Sequence, residues 1–461
     1  MAAYNLEQLD FTFTKAGYAQ STRTEVEAYL LNQGYFTSAH PTVDFETSAS
    51  PAANVEVLSG SGSISVTTDT ALSEIVDATS QLTIAGSRNI GVSLTSGEQL
   101  LVLQDSGNDV VYGGLGNDVI DATRAKGNVT LHFGSGHDTI LGGTGHDTLS
   151  ATAGALSGEL ISGSHVGGYN ILSDSSSTAH TLQGGAGADS LSASGAGNDL
   201  LISGSVARGF NILNDTGLGN DTLVSGAGND SLYAAGGGHD TLYGGTGHDQ
   251  LTALAGSGGG ELVSGSLATG YNVLSDTSLT DHTMIGGAGN DSIYASGSGN
   301  DVLISGSGSN LLDASKSAGD NLLRAVNGGN DTLLASLGAD TLDGSANTGL
   351  LSFNSNAAGS STMLGGSGVD TFHIDNTAIG SAGSNNHTID ITLGKSSPLD
   401  YVGFQNRESG DASSISEQTT GGVTTYTVSF HDGQTVNVSG GVGSGTSVDL
   451  IFTDTTIMKT F

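Results

Sequence analysis

From residue 98 onward an apolar side chain returns at a nearly fixed phase. The positions are Leu100, Val111, Ile120, Leu131, Ile140, Leu149, Ile161, Leu172, Leu182, Leu191, Leu201, Leu213, Leu223, Leu232, Leu242 and Leu251, continuing to Phe372. Each is expected to lie in a short strand and to face a core. The beat persists where the polar residues around it vary, which predicts coils of one continuous solenoid and no linkers. Two rungs per coil give fourteen coils between Glu98 and Phe372. The flanking segments read differently. Leu9, Phe11 and Phe13 alternate like a strand. Thr22 and Glu25 form a capping-box pattern ahead of Val26, Tyr29 and Leu30, with Gly34 as C-cap, which predicts a helix over 23–33. Beyond 371 the segments HTIDITLGKSSPLDYVGF and TTYTVSFHDGQTVNVSG read as strands, with His431–Asp432–Gly433 as a hairpin turn. The expected fold is all-β. A small mixed N-terminal module (1–55) serves as cap or attachment arm. A parallel β-helix (β-roll) follows over 56–370, then a β-rich C-terminal cap over 371–461.

What lies between the apolar beats sets the chemistry. Gly236–Leu251, GGGHDTLYGGTGHDQL, holds two copies of one nine-residue phrase: glycines, an acid, then a residue and an aliphatic. It fits G-G-x-G-x-D-x-U-x. Glycines permit turns with φ > 0. A turn that tight aims several carbonyls inward beside an aspartate, and hard oxygens in that number suit Ca²⁺ better than zinc or copper. These repeated copies resemble the RTX (repeats-in-toxin) family of secreted calcium-binding proteins. The resemblance implies ions held between successive turns of one flank by aspartates and backbone carbonyls. It also implies export by a type I apparatus that reads an uncleaved C-terminal signal, here the apolar, hydroxyl-rich SVDLIFTDTTIMKTF.

Placing the ligand slot two residues before each inward aliphatic gives two flanks. The first reads Glu98, Asp118, Asp138, Glu159, His180, Asp199, Asp221, Asp240, Glu261, His282, Asp301, Asp320, Asp340 and Ser361. The second reads Asp109, Val129, Asp147, Asn170, Asp189, Asn211, Asp230, Asp249, Asn272, Asp291, Asn310, Asp331, Leu351 and Asp370. The sixteen aspartates are the candidate metal ligands. Eleven acids on the first flank against eight on the second predict more calcium along the first, with Asp221 a central ligand and gaps at His180 and His282. Those two histidines read as lost calcium sites. His137, His146, His239 and His248 each precede a ligand aspartate and read as outward turn residues. A larger duplication overlies the small one: Gly158–Ser205 recurs as Gly260–Ser307, 102 residues or five coils later.

Composition narrows the function. The net charge is −35 with only 11 Lys+Arg, which excludes nucleic acid and anionic lipid as partners and calls for cations. There is no cysteine, so no disulfide or thiolate site. No run reaches transmembrane length, and MAAYNLEQLDFTF lacks the basic and apolar regions of a Sec-type signal. Neither H-E-x-x-H nor G-x-S-x-G is present, so no enzyme is expected. No outward threonine recurs on every coil, as an ice-binding face would need. The expected role is a secreted, calcium-binding structural protein that self-associates into a surface layer, matrix or fibre. The alternatives are an adhesin-like module for cell-surface glycans and a polysaccharide-active enzyme.

Overall fold

The computed structural model describes residues 3–8, 10, 27, 31, 43–46, 55–67, 74–94, 97–152, 155–161, 169–204, 209–265, 270–356, 359–374, 388–394, 399–441 and 446–461. They form two compact units, Met1–Ala227 and Gly228–Phe461. Both are built almost wholly of short parallel strands, as the apolar beat predicts.

In the first unit two columns of strands rise side by side. One stacks Ile75, Val92, Val111, Leu131, Leu149, Leu172, Leu191 and Leu213 in successive parallel pairs. The other stacks Leu82, Leu101, Ile120, Ile140, Leu160, Leu182, Leu201 and Leu223. All sixteen side chains are buried. Strands of three or four residues suffice because each is hydrogen-bonded to a coil above and a coil below, so the ladder has no internal edge. The glycines permit this close stacking. Gly136 has φ +139°, and a Cβ there would lie 1.7 Å from the Gly116 carbonyl oxygen one coil back.

The N-terminal segment is described only in pieces. Leu6–Gln8 and Asp10 are helical, opened by a reciprocal cap in which Asn5 Oδ1 accepts the Gln8 N–H and Gln8 Oε1 accepts the Asn5 N–H. Leu9, Phe11 and Phe13, expected as a strand, lie outside the described residues. Of the helix expected over 23–33, Glu27 and Leu31 are helical and the rest lies outside them.

The second unit repeats the plan. One column runs Leu232, Leu251, Leu274, Ile293, Leu312, Leu333, Phe353, Phe372, Val402 and Leu450. The other runs Leu242, Leu262, Met284, Leu303, Leu323, Leu342, Met363, Ile391 and Val438. Phe353 and Phe372 stack at 4.7 Å, filling one column with rings where leucines had filled it. Parallel stacking continues past residue 370. Antiparallel hairpins then close it: Ala412–Thr420 with Val423–Phe430, Val423–Phe430 with Thr435–Gly441, and Ser447–Ile451 with Thr456–Thr460. The turn expected at His431–Asp432–Gly433 is present, with Gly433 at φ +95°.

The register differs from expectation at four rungs. Leu101, Leu160, Leu262 and Leu323 are buried, whereas Leu100, Ile161, Val263 and Leu322 face outward. Each case is an apolar doublet, so the beat alone fits either residue. The coil decides: Leu101 pairs with Ile120, and Leu160 with Ile140. Leu101→Ala should therefore cost about 2–5 kcal/mol. Leu100→Ala should cost well under half of that, because a half-exposed side chain leaves no cavity. Urea unfolding of the calcium-loaded chain measures both, and equal losses would contradict the register.

Candidate metal centre

The register shift moves the ligand slots with it. Glu98, Glu159, Glu261 and Asp320 are exposed, and their slots are taken by Gln99, Gly158, Gly260 and Asn321. Asp320, predicted as a ligand, instead sits on the outer surface. The first flank then keeps seven acids: Asp118, Asp138, Asp199, Asp221, Asp240, Asp301 and Asp340. The second keeps eight: Asp109, Asp147, Asp189, Asp230, Asp249, Asp291, Asp331 and Asp370. All fifteen are buried. The expected excess of ligands on the first flank thus loses its basis; the four misplaced acids had supplied it.

Why these aspartates are buried follows from their hydrogen bonds. One carboxylate oxygen accepts a backbone N–H from the preceding coil. Asp118 Oδ1 accepts the Gln99 N–H at 3.0 Å, Asp138 Oδ1 that of Asp118 at 2.8 Å, and Asp221 Oδ1 that of Asp199 at 2.6 Å. In the second unit Asp249 Oδ1 accepts from Asp230 at 3.0 Å, Asp340 Oδ1 from Asn321 at 2.8 Å, and Asp370 Oδ1 from Leu351 at 3.3 Å. Each bond caps an amide at a strand start that would otherwise be buried without an acceptor. A hydrogen bond to a charged group is worth about 1.5–3 kcal/mol.

The residue just before each slot does the reverse. Asn117 Oδ1 accepts the His137 N–H of the next coil at 3.0 Å, and Asn290 Oδ1 accepts that of Ser309 at 2.8 Å. His146 and His248 serve the same way, their Nδ1 accepting the N–H of Tyr169 at 2.8 Å and of Tyr271 at 2.9 Å. His137, His146 and His248 are exposed turn residues, as expected. Asp320 belongs to this outer row. It takes the Asn300 cap on its own N–H at 2.8 Å and caps Ala339 at 2.7 Å. The recurring Asn-Asp and His-Asp dipeptides are pairs of opposite caps, one reaching forward and one back.

The second carboxylate oxygen is where metal chemistry arises. Oδ2 of Asp118, Asp291 and Asp370 accepts the N–H of the residue four positions upstream, at 3.1, 2.6 and 2.7 Å, whereas Oδ2 of Asp138, Asp147, Asp189 and Asp249 lies beside the same turn without a hydrogen bond of full geometry. It faces the glycine turn upstream: a Cβ at Gly184 would lie 2.5 Å from Asp189 Oδ2, so only glycine leaves that space. A buried carboxylate short of donors is neutralised by a cation or by a proton. The space is bounded by carboxylates and the glycine turn, and hard oxygens are the ligands that Ca²⁺ takes. These residues fit calcium. When bound, the ion would supply the positive charge that the fold omits, and the aspartates with the turn backbone would hold it. Asparagine slots add a donor to the neighbouring carboxylate's other oxygen, Oδ1. Asn170 Nδ2 donates to Asp189 Oδ1 at 2.8 Å, and Asn272 Nδ2 to Asp291 Oδ1 at 2.9 Å.

Five acids escaped the nine-residue phrase. Asp105, Asp174, Asp215, Asp276 and Asp400 are buried beside the slots. Three start Asx turns six residues before a slot: Asp174 Oδ1 accepts the Ser176 N–H at 2.8 Å, Asp215 that of Gly217 at 2.7 Å, and Asp276 that of Ser278 at 2.7 Å. The signal was present as Asp174–His180, Asp215–Asp221 and Asp276–His282, a repeated six-residue spacing. Asp400 Oδ1 caps Asp370 at 2.9 Å across a 30-residue span, which the beat could not reach.

Such crowding raises the carboxyl pKa values. Burial, then the Asp105 carboxylate, pushes Asp109 up to about 8. Burial, then Asp215, pushes Asp221 up to about 9. Burial takes Asp370 to about 7, with Asp400 adding to it. The ordinary value is 3.8. Without metal, the folded chain therefore holds more protons than the unfolded chain between about pH 4 and the raised values. Its stability must fall as pH rises through that window. Chain stripped of metal on a chelating resin should melt at a higher temperature at pH 5 than at pH 8, and added calcium should stabilise it more at pH 8. A melting temperature that rises with pH in the stripped chain would refute this.

Mutations separate the crowded sites from the neutral-paired ones. Asp221 shares its pocket with Asp215, whereas Asp189 already accepts the Asn170 amide. Asp221→Ala should lose about tenfold or more in calcium affinity at its site, about 1.4 kcal/mol or above. Asp189→Ala should lose less. Calorimetric titration reads both, and equal losses would show that backbone carbonyls dominate.

Comparison with known proteins agrees with this geometry. The RTX calcium-binding nonapeptide repeat (4 copies) matches residues 105–124, 127–155, 181–206, 215–251, 233–258, 283–312 and 326–348. No curated protein matches the chain. From Asp105 to Asn347 and its neighbour Thr348, the chain carries RTX calcium-binding nonapeptide repeats in multiple copies.

Proposed function

We propose that the chain is a secreted structural protein whose β-solenoid binds calcium and self-associates into a surface layer, matrix or fibre. The observation that carries the reading is the ladder of fifteen buried aspartates, of which Asp138, Asp147, Asp189 and Asp249 leave the second oxygen without a hydrogen bond of full geometry. They bind the coils to one another. Their spacing is that of a ladder, with an acid in seven slots of the first flank and eight of the second. No described helix is long and apolar enough to cross a membrane.

Self-association draws support from the outside of each unit. Leu218 and Phe210 in the first unit, and Leu279 and Tyr271 in the second, expose 75%, 55%, 72% and 65% of their surface. Large apolar side chains set out on loops of so acidic a protein are candidates for contact with a further copy. Calcium would lower the repulsion between copies that a charge of −35 creates.

Electron microscopy and circular dichroism of the purified chain, with calcium and in excess chelator, test this reading. The expected result is ordered sheets or fibres with calcium, and a greatly lowered melting temperature or loss of most β signal without it. A calcium-loaded chain that stays monomeric and retains glycans on an array would favour the adhesin alternative. Turnover of a polysaccharide would favour the enzyme.

A further inference from the structure

His180 and His282 occupy ligand slots in which an oxygen donor has been exchanged for an imidazole. They lie 102 residues apart, and the acids around them keep that offset: Asp174 and Asp199 about the first, Asp276 and Asp301 about the second. Each cluster lies within one unit. The family match passes over both stretches, stopping at 155 and resuming at 181, then stopping at 258 and resuming at 283. We propose that each cluster is a zinc-type site, in which one imidazole nitrogen and two carboxylate oxygens take a first-row transition dication in preference to calcium.

The geometry suits such an ion. All three residues of each cluster are buried, and their ligand atoms lie within 4.8 Å of one another. His180 Nδ1 lies 3.0 Å from Asp174 Oδ2, and His282 Nδ1 lies 3.5 Å from Asp276 Oδ2. Donors around a tetrahedral Zn²⁺ with bonds of about 2.0–2.1 Å sit about 3.3 Å apart. The carboxylates are held so that one oxygen stays available. Asp199 Oδ1 caps the His180 N–H at 2.7 Å, and Asp301 Oδ1 caps the His282 N–H at 2.9 Å. Oδ2 of Asp199, Asp276 and Asp301 meets no donor among the described residues.

Charge and ring orientation point the same way. Two carboxylates and a neutral imidazole carry −2, and no Lys or Arg pairs with either cluster among the described residues. Ser257 Oγ lies 2.9 Å from His282 Nε2. Accepting the Nε2–H there would leave the Nδ1 lone pair for an ion beside Asp276, in place of the contacts that Nδ1 makes with Thr280 O at 3.1 Å and Ser278 Oγ at 3.2 Å. In the first cluster Ala155 stands at the place of Ser257, and the Phe133 ring, 5.6 Å away, lies against the imidazole instead. His180 Nε2 has no partner, while Nδ1 lies 3.1 Å from Ser176 Oγ and 3.0 Å from Thr178 O, contacts that an ion at Nδ1 would replace. Calcium prefers six to eight oxygens and gains little from a nitrogen, whereas zinc binds mixed nitrogen and carboxylate sets of four.

The test uses the full chain, stripped of metal and dialysed against micromolar zinc with millimolar calcium present, so that oxygen-only sites are filled. Metal content is read by mass spectrometry. Two zinc ions per chain are expected in the wild type, one in His180→Asn or His282→Asn, and none in the double variant. Asparagine is chosen because Asn170 and Asn272 occupy slots on the other flank. His137→Asn and His248→Asn should keep both ions. Cobalt in place of zinc should give the visible bands of a four-coordinate site, lost in the double variant. Zinc that calcium displaces, zinc content unchanged in the double variant, or no zinc at all with the histidines merely protonated would each overturn the proposal. Should the double variant fail to fold, absence of the cobalt bands in the wild type would overturn it equally.

Discussion

The structure depends on how the amide at each strand start is capped. A coil of about twenty residues cannot bury that N–H by itself, because its own strands are too short to supply an acceptor. The acceptor comes from the neighbouring coil, as when Asp138 caps Asp118. Using a carboxylate for this task brings a second oxygen into the interior, and stacking repeats it at fifteen slots. The solenoid is thereby committed to a supply of positive charge that its 11 Lys+Arg cannot give. Calcium demand is a by-product of the bond that holds the coils in register.

The fold was readable because its core is one-dimensional. An aliphatic at a fixed phase needs no knowledge of distant contacts, since its neighbours in space are the same phase one coil away. Thus Leu131, Leu149 and Leu172 announced their own stack. The site was less readable for the same reason. At Leu100–Leu101 and Leu160–Ile161 the sequence offers two apolar residues, and a one-residue slip turns every side chain over. Glu98 and Glu159, being acidic, drew the slot toward themselves, while Gln99 and Gly158 occupy it. Acidity alone was the wrong criterion; the slot is defined by its distance from the buried aliphatic, and glutamine, glycine and asparagine sit there too.

What stayed hidden was the chemistry added between slots. Asp174, Asp215 and Asp276 are not part of the nine-residue phrase, and only the turn that each one starts brings it back to the slot. Asp400 enters from a segment thirty residues further on, where the phrase has already ended. These acids make some pockets doubly charged beside others that an asparagine has neutralised. A regular sequence therefore encodes a graded row of sites, and the grading is set by side chains outside the repeat.

The two caps on adjacent residues give each coil a front and a back. Asn117 reaches forward to His137 while Asp118 reaches back to Gln99, so the surface offered to the next coil differs from that offered to the previous one. Two fronts placed together would leave amides facing amides. Growth by whole coils inserted in one orientation preserves every bond, and growth by fractions of a coil breaks both rows at once. The 102-residue duplication, five coils long, obeys this arithmetic. The chain can thus lengthen in evolution like a zip of identical teeth, but only in whole teeth and only one way round.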